Sequence, residues 1–167
     1  MTAWKPTFNF ECGNENFKLI AHRGNVTGPC EYENNPEYLK ETLNDGFEVE
    51  VDVWFNASMK DGKYYQNLWL GHDKPQYKID LKFLEDTRIW CHAKNWQAMD
   101  VMLKHDKPIH CFWHQNDDYT FTSAGYVWTY PEKSLLSRSI AVYPNGKPEW
   151  IQTLRKTCAG VCSDFLK

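Results

Sequence analysis

The stretch that constrains the fold most is a strand, a short helix and a second strand in succession, within residues 18–54. An apolar run at residues 18–21 is long enough for a buried strand and too short for a substantial helix. Asn35 can cap a helix that Pro36 begins, and Gly46 can end it. Two strands connected through a helix lie parallel in one sheet. The chain therefore predicts an α/β fold built on parallel strands.

The second strand, predicted at residues 47–54, alternates valines with carboxylates. The valines occupy one face, and Glu48, Glu50 and Asp52 occupy the other, as the two-residue period of a strand requires. A solvent-exposed edge strand would show the same pattern. If both faces are covered instead, the carboxylates need a cation or hydrogen-bond donors to offset their burial. Glu50 and Asp52, at the carboxyl end of the strand, suit a divalent ion that prefers oxygen ligands.

The remaining elements follow the same pattern of short strands and few helices. An Asp-Gly pair at positions 61 and 62 predicts a hairpin between residues 57–60 and 63–66. Further strands are predicted at 89–94, 108–113, 126–130, 139–143 and 160–162, and further helices at 95–107 and 150–156. The prediction is about seven main strands with two or three helices, in a single domain that spans residues 1–167.

Composition argues against several classes of partner. The net charge is −3, with both signs mixed along the chain, so no basic patch indicates nucleic acid. No apolar run approaches the roughly 20 residues of a membrane span, and the first residues lack a signal-peptide core. Of the six cysteines, Cys91 and Cys111 fall in apolar runs, which predicts buried free thiols in a reducing compartment. These features predict a cytoplasmic protein.

Four short motifs carry residues that are suited to catalysis or ion binding. In chain order they are His22-Arg23-Gly24, Glu33-Asn34, Glu50-Val51-Asp52 and Gly71-His72-Asp73. This ordered set resembles the glycerophosphodiester phosphodiesterase family, within the wider phospholipase-C-like phosphodiesterases. The resemblance is close over residues 18–75, weakens over 89–95 and returns faintly at 159–165.

The resemblance implies a TIM-type (β/α) barrel with its active site at the carboxyl ends of the strands. A complete barrel of eight units takes about 250 residues, whereas this chain has 167. We therefore expect a minimal or incomplete barrel with trimmed helices. Residues 1–17 show no clear period, and we expect them to form an irregular arm at the bottom of the barrel.

The resemblance also implies a phosphodiester hydrolase of lipid metabolism that acts on a small-molecule substrate. In this interpretation His22 and His72 are the general base and the general acid, in an order that the sequence leaves open. Arg23 and Lys94 hold the phosphate oxygens. A neighbouring hydroxyl of the substrate attacks the phosphorus and gives a cyclic phosphate, which water opens.

One divalent cation is implied, with Glu50, Asp52 and His92 as its ligands and Glu33 in support. The family usually has Glu where this chain has His92. An imidazole ligand weakens the preference for Mg²⁺ and favours Mn²⁺ or Zn²⁺, so Mg²⁺, Mn²⁺, Ca²⁺ and Zn²⁺ all stay open.

Two alternatives to hydrolysis stay open as well. The first is a non-catalytic module on the same fold that binds a polyol phosphate or glycan phosphate. The second is a lyase that stops at the cyclic phosphate. Three aromatic residues, Trp113, Tyr126 and Trp128, are candidates for the walls of a pocket for the alcohol.

Overall fold

The structure is a computed structural model that describes residues 16–60 and 63–167. This part of the chain contains ten strands, three α-helices and two short 3-10 turns. The strands are β1 (Lys18–His22), β2 (Glu48–Lys60), β3 (Lys63–Leu70), β4 (Tyr77–Ile79), β5 (Ile89–Ala93), β6 (Cys111–Trp113), β7 (Tyr119–Phe121), β8 (Val127–Thr129), β9 (Ser139–Val142) and β10 (Gly160–Ser163). The helices are α1 (Pro36–Asn44), α2 (Trp96–Leu103) and α3 (Ile151–Leu154).

Seven of these strands form one parallel ladder, in the order β6-β5-β2-β1-β10-β9-β8. They correspond to the seven main strands that the sequence predicts. The long second half of β2 pairs antiparallel with β3, which in turn pairs with β4. This confirms the predicted hairpin, although its Asp61-Gly62 turn lies outside the described residues. The short strands β4 and β7 were not predicted, and β7 pairs antiparallel with β8.

Helix α1 begins as predicted, because Oδ1 of Asn35 accepts the backbone N–H of Glu37 at 2.9 Å. The other two helices are shorter than predicted. The helix predicted at 95–107 ends at Leu103, and beyond it the side chains of His105 and Lys107 turn to Glu85, at 3.0 and 2.6 Å. In this segment the side chains make tertiary contacts, and the backbone is no longer helical.

The parallel sheet is strongly curled. Trp90 of β5 and Trp128 of β8 are separated by four strands in the ladder, which would place them about 24 Å apart in a flat sheet. Their ring centroids are only 6.0 Å apart. The hydrogen-bonded ladder of the described strands does not close, but Ser123, next to β7, donates its N–H to Cys111 of β6 at 2.8 Å.

Both faces of the sheet are buried. The valines of β2, including Val49 and Val51, pack in one core cluster with Leu39 of α1 and Met102 of α2. The second cluster lies on the opposite face and contains Ile20, Trp90, Phe112, Trp128, Ile140, Ala159 and Cys162. The alternation predicted for β2 is therefore confirmed, and it belongs to a strand covered on both faces instead of an exposed edge.

Two other expectations concern the cysteines and the N-terminal arm. Cys91 and Cys111 are buried and free, as predicted, and Cys158 and Cys162 are buried and free as well. The predicted arm lies outside the described residues, except for its last two positions. None of the helices in the described part of the chain has the length and apolar character needed to cross a bilayer.

Candidate metal and phosphate site

The parallel ladder brings the carboxyl ends of three strands to one edge of the sheet. His22, the last residue of β1, lies opposite Glu50 of β2. Asp52 of β2 lies opposite His92 of β5, and Lys94 follows β5 directly. The registers thus gather two carboxylates, two histidines and a lysine from three separate segments.

Glu50 and Asp52 are almost completely buried, with 2% and 1% of their surface exposed. Buried carboxylates need nearby cations or donors. Here Nε of Arg23 lies 3.2 Å from Oδ2 of Asp52, and Nζ of Lys94 lies 3.3 Å from its Oδ1. Burial alone would raise the pKa of Asp52, but the hydrogen bond with His92 and the charges of Lys94 and Arg23 hold it well below its ordinary range.

Asn34 holds Asp52 from the other side. Its Nδ2 donates to Oδ2 of Asp52, and its Oδ1 accepts the backbone N–H of the same residue. Asn34 has a left-handed φ of 63°, which asparagine tolerates better than most residues, and only 1% of its surface is exposed. The loop before α1 therefore supplies a rigid support for the carboxylate.

His92 is held between these carboxylates and the backbone. Its Nε2 lies 2.8 Å from the carbonyl oxygen of His114, which can only accept, so we assign a proton to Nε2. Its Nδ1 lies 3.6 Å from Oε1 of Glu50 and 3.4 Å from Oδ1 of Asp52. Burial would lower the pKa of His92, but its contacts with the carboxylates of Asp52 and Glu50 outweigh burial and raise this pKa to about 9.

Glu50, Asp52 and His92 form a candidate metal site, since each offers one ligand atom and these atoms lie within 4.8 Å of one another. When His92 is neutral, its Nδ1 lone pair faces the same space as the two carboxylates. A carbonyl that accepts from the other ring nitrogen is the arrangement that commonly orients metal-binding histidines. The three residues therefore fit a metal ion.

Arg23 follows β1 in a sharp turn, with left-handed φ values of 53° at Arg23 and 92° at Gly24. This conformation is uncommon for a residue with a side chain and is found mainly where the structure requires it. NH1 of Arg23 donates to Oε2 of Glu33 at 3.0 Å, and Oε1 of Glu33 accepts Nδ2 of Asn25 at 2.8 Å. Glu33 therefore holds the guanidinium beside the carboxylates.

His22 is oriented by a carboxylate from the far end of the chain. Its Nδ1 lies 2.9 Å from Oδ1 of Asp164, which also accepts Nδ2 of Asn25 at 2.8 Å. Within the described part of the chain, Nε2 of His22 has no hydrogen-bond partner. Burial would lower the pKa of His22, but the bond to Asp164 and the charge of Glu50 raise it above its ordinary value. The free ring nitrogen is thus available for proton transfer.

His72 is placed by an extended turn after β3. Gly71 has a φ of 147°, and a Cβ there would overlap the carbonyl oxygen of Lys74. The Gly71 carbonyl accepts Nε1 of Trp54 at 2.6 Å. The imidazole is exposed over 42% of its side-chain surface, and its Nδ1 lies 2.6 Å from Oδ1 of Asp73.

Two cavities border His72 on the site edge. One, of about 340 Å³, is lined also by His92 and Lys94. The other, of about 230 Å³, is lined also by Arg23 and Glu33. His72 therefore lies at the mouth of the site between the two cavities, whereas the other predicted residues form the buried cluster.

Several residues of the cluster were not predicted. The Glu33-Asn34 motif gives no role to Asn34, and no sequence pattern marks Asn25, Asp164 or the carbonyl of His114 as a partner. Asp164 follows β10 and is 142 positions from His22, so its place at a strand end is its one local signal. Of the aromatic candidates, Trp113 lines the first cavity, but Tyr126 lines a cavity at the opposite end of the strands and Trp128 is buried in the core. Tyr126 precedes β8 and therefore lies at the amino end of that strand, whereas the site lies at the carboxyl ends of the parallel strands.

Comparison of the chain with protein-family models, curated proteins and solved structures finds no match to any of them.

Proposed function

We propose that this chain is a divalent-cation-dependent phosphodiester hydrolase of the glycerophosphodiester phosphodiesterase type. The observation that carries the proposal is the buried group of Glu50, Asp52 and His92, flanked by the cations of Arg23 and Lys94. A cation site and two positive side chains at one strand edge suit a phosphodiester, whose two free oxygens share a negative charge.

Arg23 and Lys94 are the proposed phosphate ligands. The guanidinium can present a planar pair of N–H donors, and the ammonium provides a compact charge. Both now contact Asp52, at 3.2 and 3.3 Å. A cation held by Glu50, Asp52 and His92 would neutralise part of that carboxylate charge and polarise the phosphodiester. The two basic side chains would then be available to the substrate.

His22 and His72 are the proposed acid and base. A hydroxyl of the substrate forms the new bond to phosphorus while one histidine takes its proton. The bond to the leaving alcohol breaks while the other histidine protonates its oxygen. Asp164 supports this role for His22, because it fixes Nδ1 and leaves Nε2 free. Water then opens the cyclic phosphate.

We also infer that the curled sheet is a minimal TIM-type barrel in which most of the helices are trimmed. The support is the inner cluster, to which six parallel strands contribute, and the short distance between Trp90 and Trp128. The position of the site at the carboxyl ends of the strands agrees with this architecture. The buried free thiols, such as Cys91 and Cys111, support the expectation of a reducing compartment, the cytoplasm.

The first test is alcohol release from 2-hydroxypropyl 4-nitrophenyl phosphate and from glycerophosphocholine, both of which carry the neighbouring hydroxyl that the proposed reaction needs. The protein is treated with EDTA, and Mg²⁺, Mn²⁺, Ca²⁺ or Zn²⁺ is then restored. We expect activity to disappear with EDTA and to return best with Mn²⁺ or Zn²⁺. We also expect H22A and H72A to lose most of their activity on glycerophosphocholine while keeping the fold. Wild-type turnover of glycerophosphocholine in either variant would contradict the assignment.

The same experiment distinguishes the alternatives. Binding of phosphate esters without turnover under any ion would indicate the non-catalytic module. Phosphorus NMR of the product from glycerophosphocholine would show a persistent cyclic phosphate if the chain is a lyase. A phosphomonoester product supports the hydrolase.

A further inference from the structure

The two cavities beside His72 differ in chemistry. We call the first the aromatic cavity, because Trp113, His114 and Tyr130 line it together with Lys94; these three rings are its wall. We call the second the polar cavity; it is lined by Arg23, Cys30, Glu31, Glu33, Asp73, Lys74 and Gln76 in addition to His72. A phosphodiester carries two different alcohols, one on each side of the phosphorus. A substrate held at Arg23 and Lys94 would direct one alcohol toward each cavity.

The wall of the aromatic cavity is held in place by hydrogen bonds. The rings of His114 and Tyr130 lie 5.7 Å apart at an angle of 29°. Nε2 of His114 lies 2.6 Å from the carbonyl of Asp117, and the N–H of Tyr130 donates to the carbonyl of Asp118 at 2.9 Å. His114, in the loop between β6 and β7, and Tyr130, which follows β8, are therefore held in place before a ligand binds, which lowers the ordering cost of binding.

The cavity has an electrostatic bias against cations. Lys94 lines it, and among the described residues that border it none carries a carboxylate. The carboxylate that contacts Nζ of Lys94 is that of Asp52, at 3.3 Å, and Asp52 also belongs to the candidate metal site. Aromatic rings attract ammonium groups, but here Lys94 opposes that attraction once a cation has taken up the charge of Asp52.

The lining is also too polar for a purely apolar group. Gln115 contributes an amide, and Nδ1 of His114 can accept a hydrogen bond when the proton is on Nε2. A ring with one apolar face and hydroxyls on its rim satisfies both kinds of surface, since the face can lie on Tyr130 or Trp113 and the hydroxyls can reach the polar groups. The volume of about 340 Å³ is large enough for one such ring.

We propose that the aromatic cavity binds an uncharged, ring-bearing alcohol, a sugar or cyclic polyol, as one arm of the phosphodiester. This inference rests on the proposed function for the position of the phosphate. It assigns substrate selectivity to Trp113, His114, Gln115 and Tyr130. Substrates with a cationic alcohol such as choline are bound less well.

The experiment compares glycerophosphoinositol with glycerophosphocholine, which share the glycerol arm and differ in ring and charge. Calorimetry on H22A protein loaded with Mn²⁺ gives the two dissociation constants without consuming the diesters. We expect at least tenfold tighter binding of the inositol diester. Y130A weakens that binding about tenfold and changes choline diester binding little, whereas Y130F stays within about twofold. F121A is the matched control, because Phe121 is 67% exposed and lies outside this wall.

A second variant tests the charge argument without disturbing the fold. Q115E is isosteric, lies at an exposed position and adds the missing carboxylate to the cavity. We expect the preference for the inositol diester to fall by about fivefold. Equal binding of the two diesters by the parent protein, or an equal loss of both in Y130A, overturns the inference, as does an unchanged preference in Q115E.

Turnover of 2-hydroxypropyl 4-nitrophenyl phosphate by the wild-type protein separates this inference from the proposed function. Turnover of the aryl diester without discrimination between the glycerol diesters retains the hydrolase and rejects the role of the cavity. Discrimination in binding without turnover of any diester rejects the hydrolase and retains the cavity as a ligand site. Absence of both rejects both.

Discussion

Asn34 and Asp52 exchange two hydrogen bonds of 2.9 Å, one through each end of the Asn34 amide. One bond satisfies the carboxylate, and the other satisfies the backbone N–H of the same aspartate. The positive charges of Arg23 and Lys94 approach that carboxylate from other directions. The side chain that is most central to the candidate metal site is therefore fixed by a loop residue before a cation or substrate is bound.

We expect N34A to weaken both the fold and the metal site. The change leaves the buried N–H of Asp52 without its acceptor, which costs about 1–3 kcal/mol in the free energy of unfolding. It also frees the carboxylate to rotate, and loss of such a supporting contact typically lowers metal affinity 10- to 100-fold. Urea denaturation and Mn²⁺ titration measure the two effects. N116A, at an exposed position, is the control, and wild-type Mn²⁺ affinity in N34A would contradict the prediction.

We expect H92E to change the preferred cation. The substitution replaces an imidazole nitrogen with carboxylate oxygen, so that all three ligands become hard donors. Mg²⁺ and Ca²⁺ should then bind at least tenfold better relative to Zn²⁺ than they do to the wild-type protein. Calorimetric titration with each ion provides the ratio. H92Q, which removes the ligand without adding charge, should weaken all four ions, and an unchanged ion preference in H92E would show that His92 is not a ligand.

We expect D164N to shift the pH profile of the reaction. Burial lowers the pKa of His22, while Asp164 raises it through the hydrogen bond to Nδ1. Without that carboxylate the pKa of His22 falls, so the limb of kcat/KM that reports on His22 moves to lower pH. The shift is toward lower pH in either role of His22. If His22 is the base, the rising limb of the profile moves; if it is the acid, the falling limb moves. An unmoved profile with reduced kcat would assign Asp164 a purely structural role.

We expect His110 to destabilise the protein in mild acid. Burial, helped by the charge of Lys18, lowers the pKa of His110 from 6.5 to about 4. Between these values the unfolded chain binds a proton that the folded chain does not, so the free energy of unfolding falls as the pH falls. By pH 4 the titration of His110 lowers the free energy of unfolding by about 3 kcal/mol. Denaturation of wild type and H110Q at pH 7 and pH 4.5 tests this, because the variant should lose less stability between the two.

The sequence was sufficient for elements whose signal is local. The alternation of β2, the cap at Asn35 and the parallel order of strands around it each follow from residues within a few positions of one another. The same holds for Glu50, Asp52 and His92, because each lies in the parallel part of its strand and the strands run in the same direction. Parallel pairing then brings residues 42 positions apart to one edge.

Residues whose position depends on tertiary pairing were harder to predict. The helix predicted at 95–107 ends at Leu103, and beyond it His105 and Lys107 contact Glu85, 20 and 22 positions away in the sequence. Asp164 follows the predicted last strand, but no local pattern reports its contact with His22 across 142 positions. The side chain of Asn34 likewise contacts Asp52 only because the loop before α1 folds back on β2.

We expect G71A to impair activity through the position of His72. A Cβ at Gly71 would overlap the carbonyl oxygen of Lys74, and its φ of 147° disfavours alanine, so the turn that carries His72 must move. Gly46 provides the matched control, because its φ of 92° is also positive but a Cβ there meets nothing within 4 Å. Both variants should lose about 1 kcal/mol or more of stability, but only G71A should lower kcat strongly, by at least tenfold for glycerophosphocholine. Equal kcat in the two variants would indicate that the position of His72 does not limit the reaction.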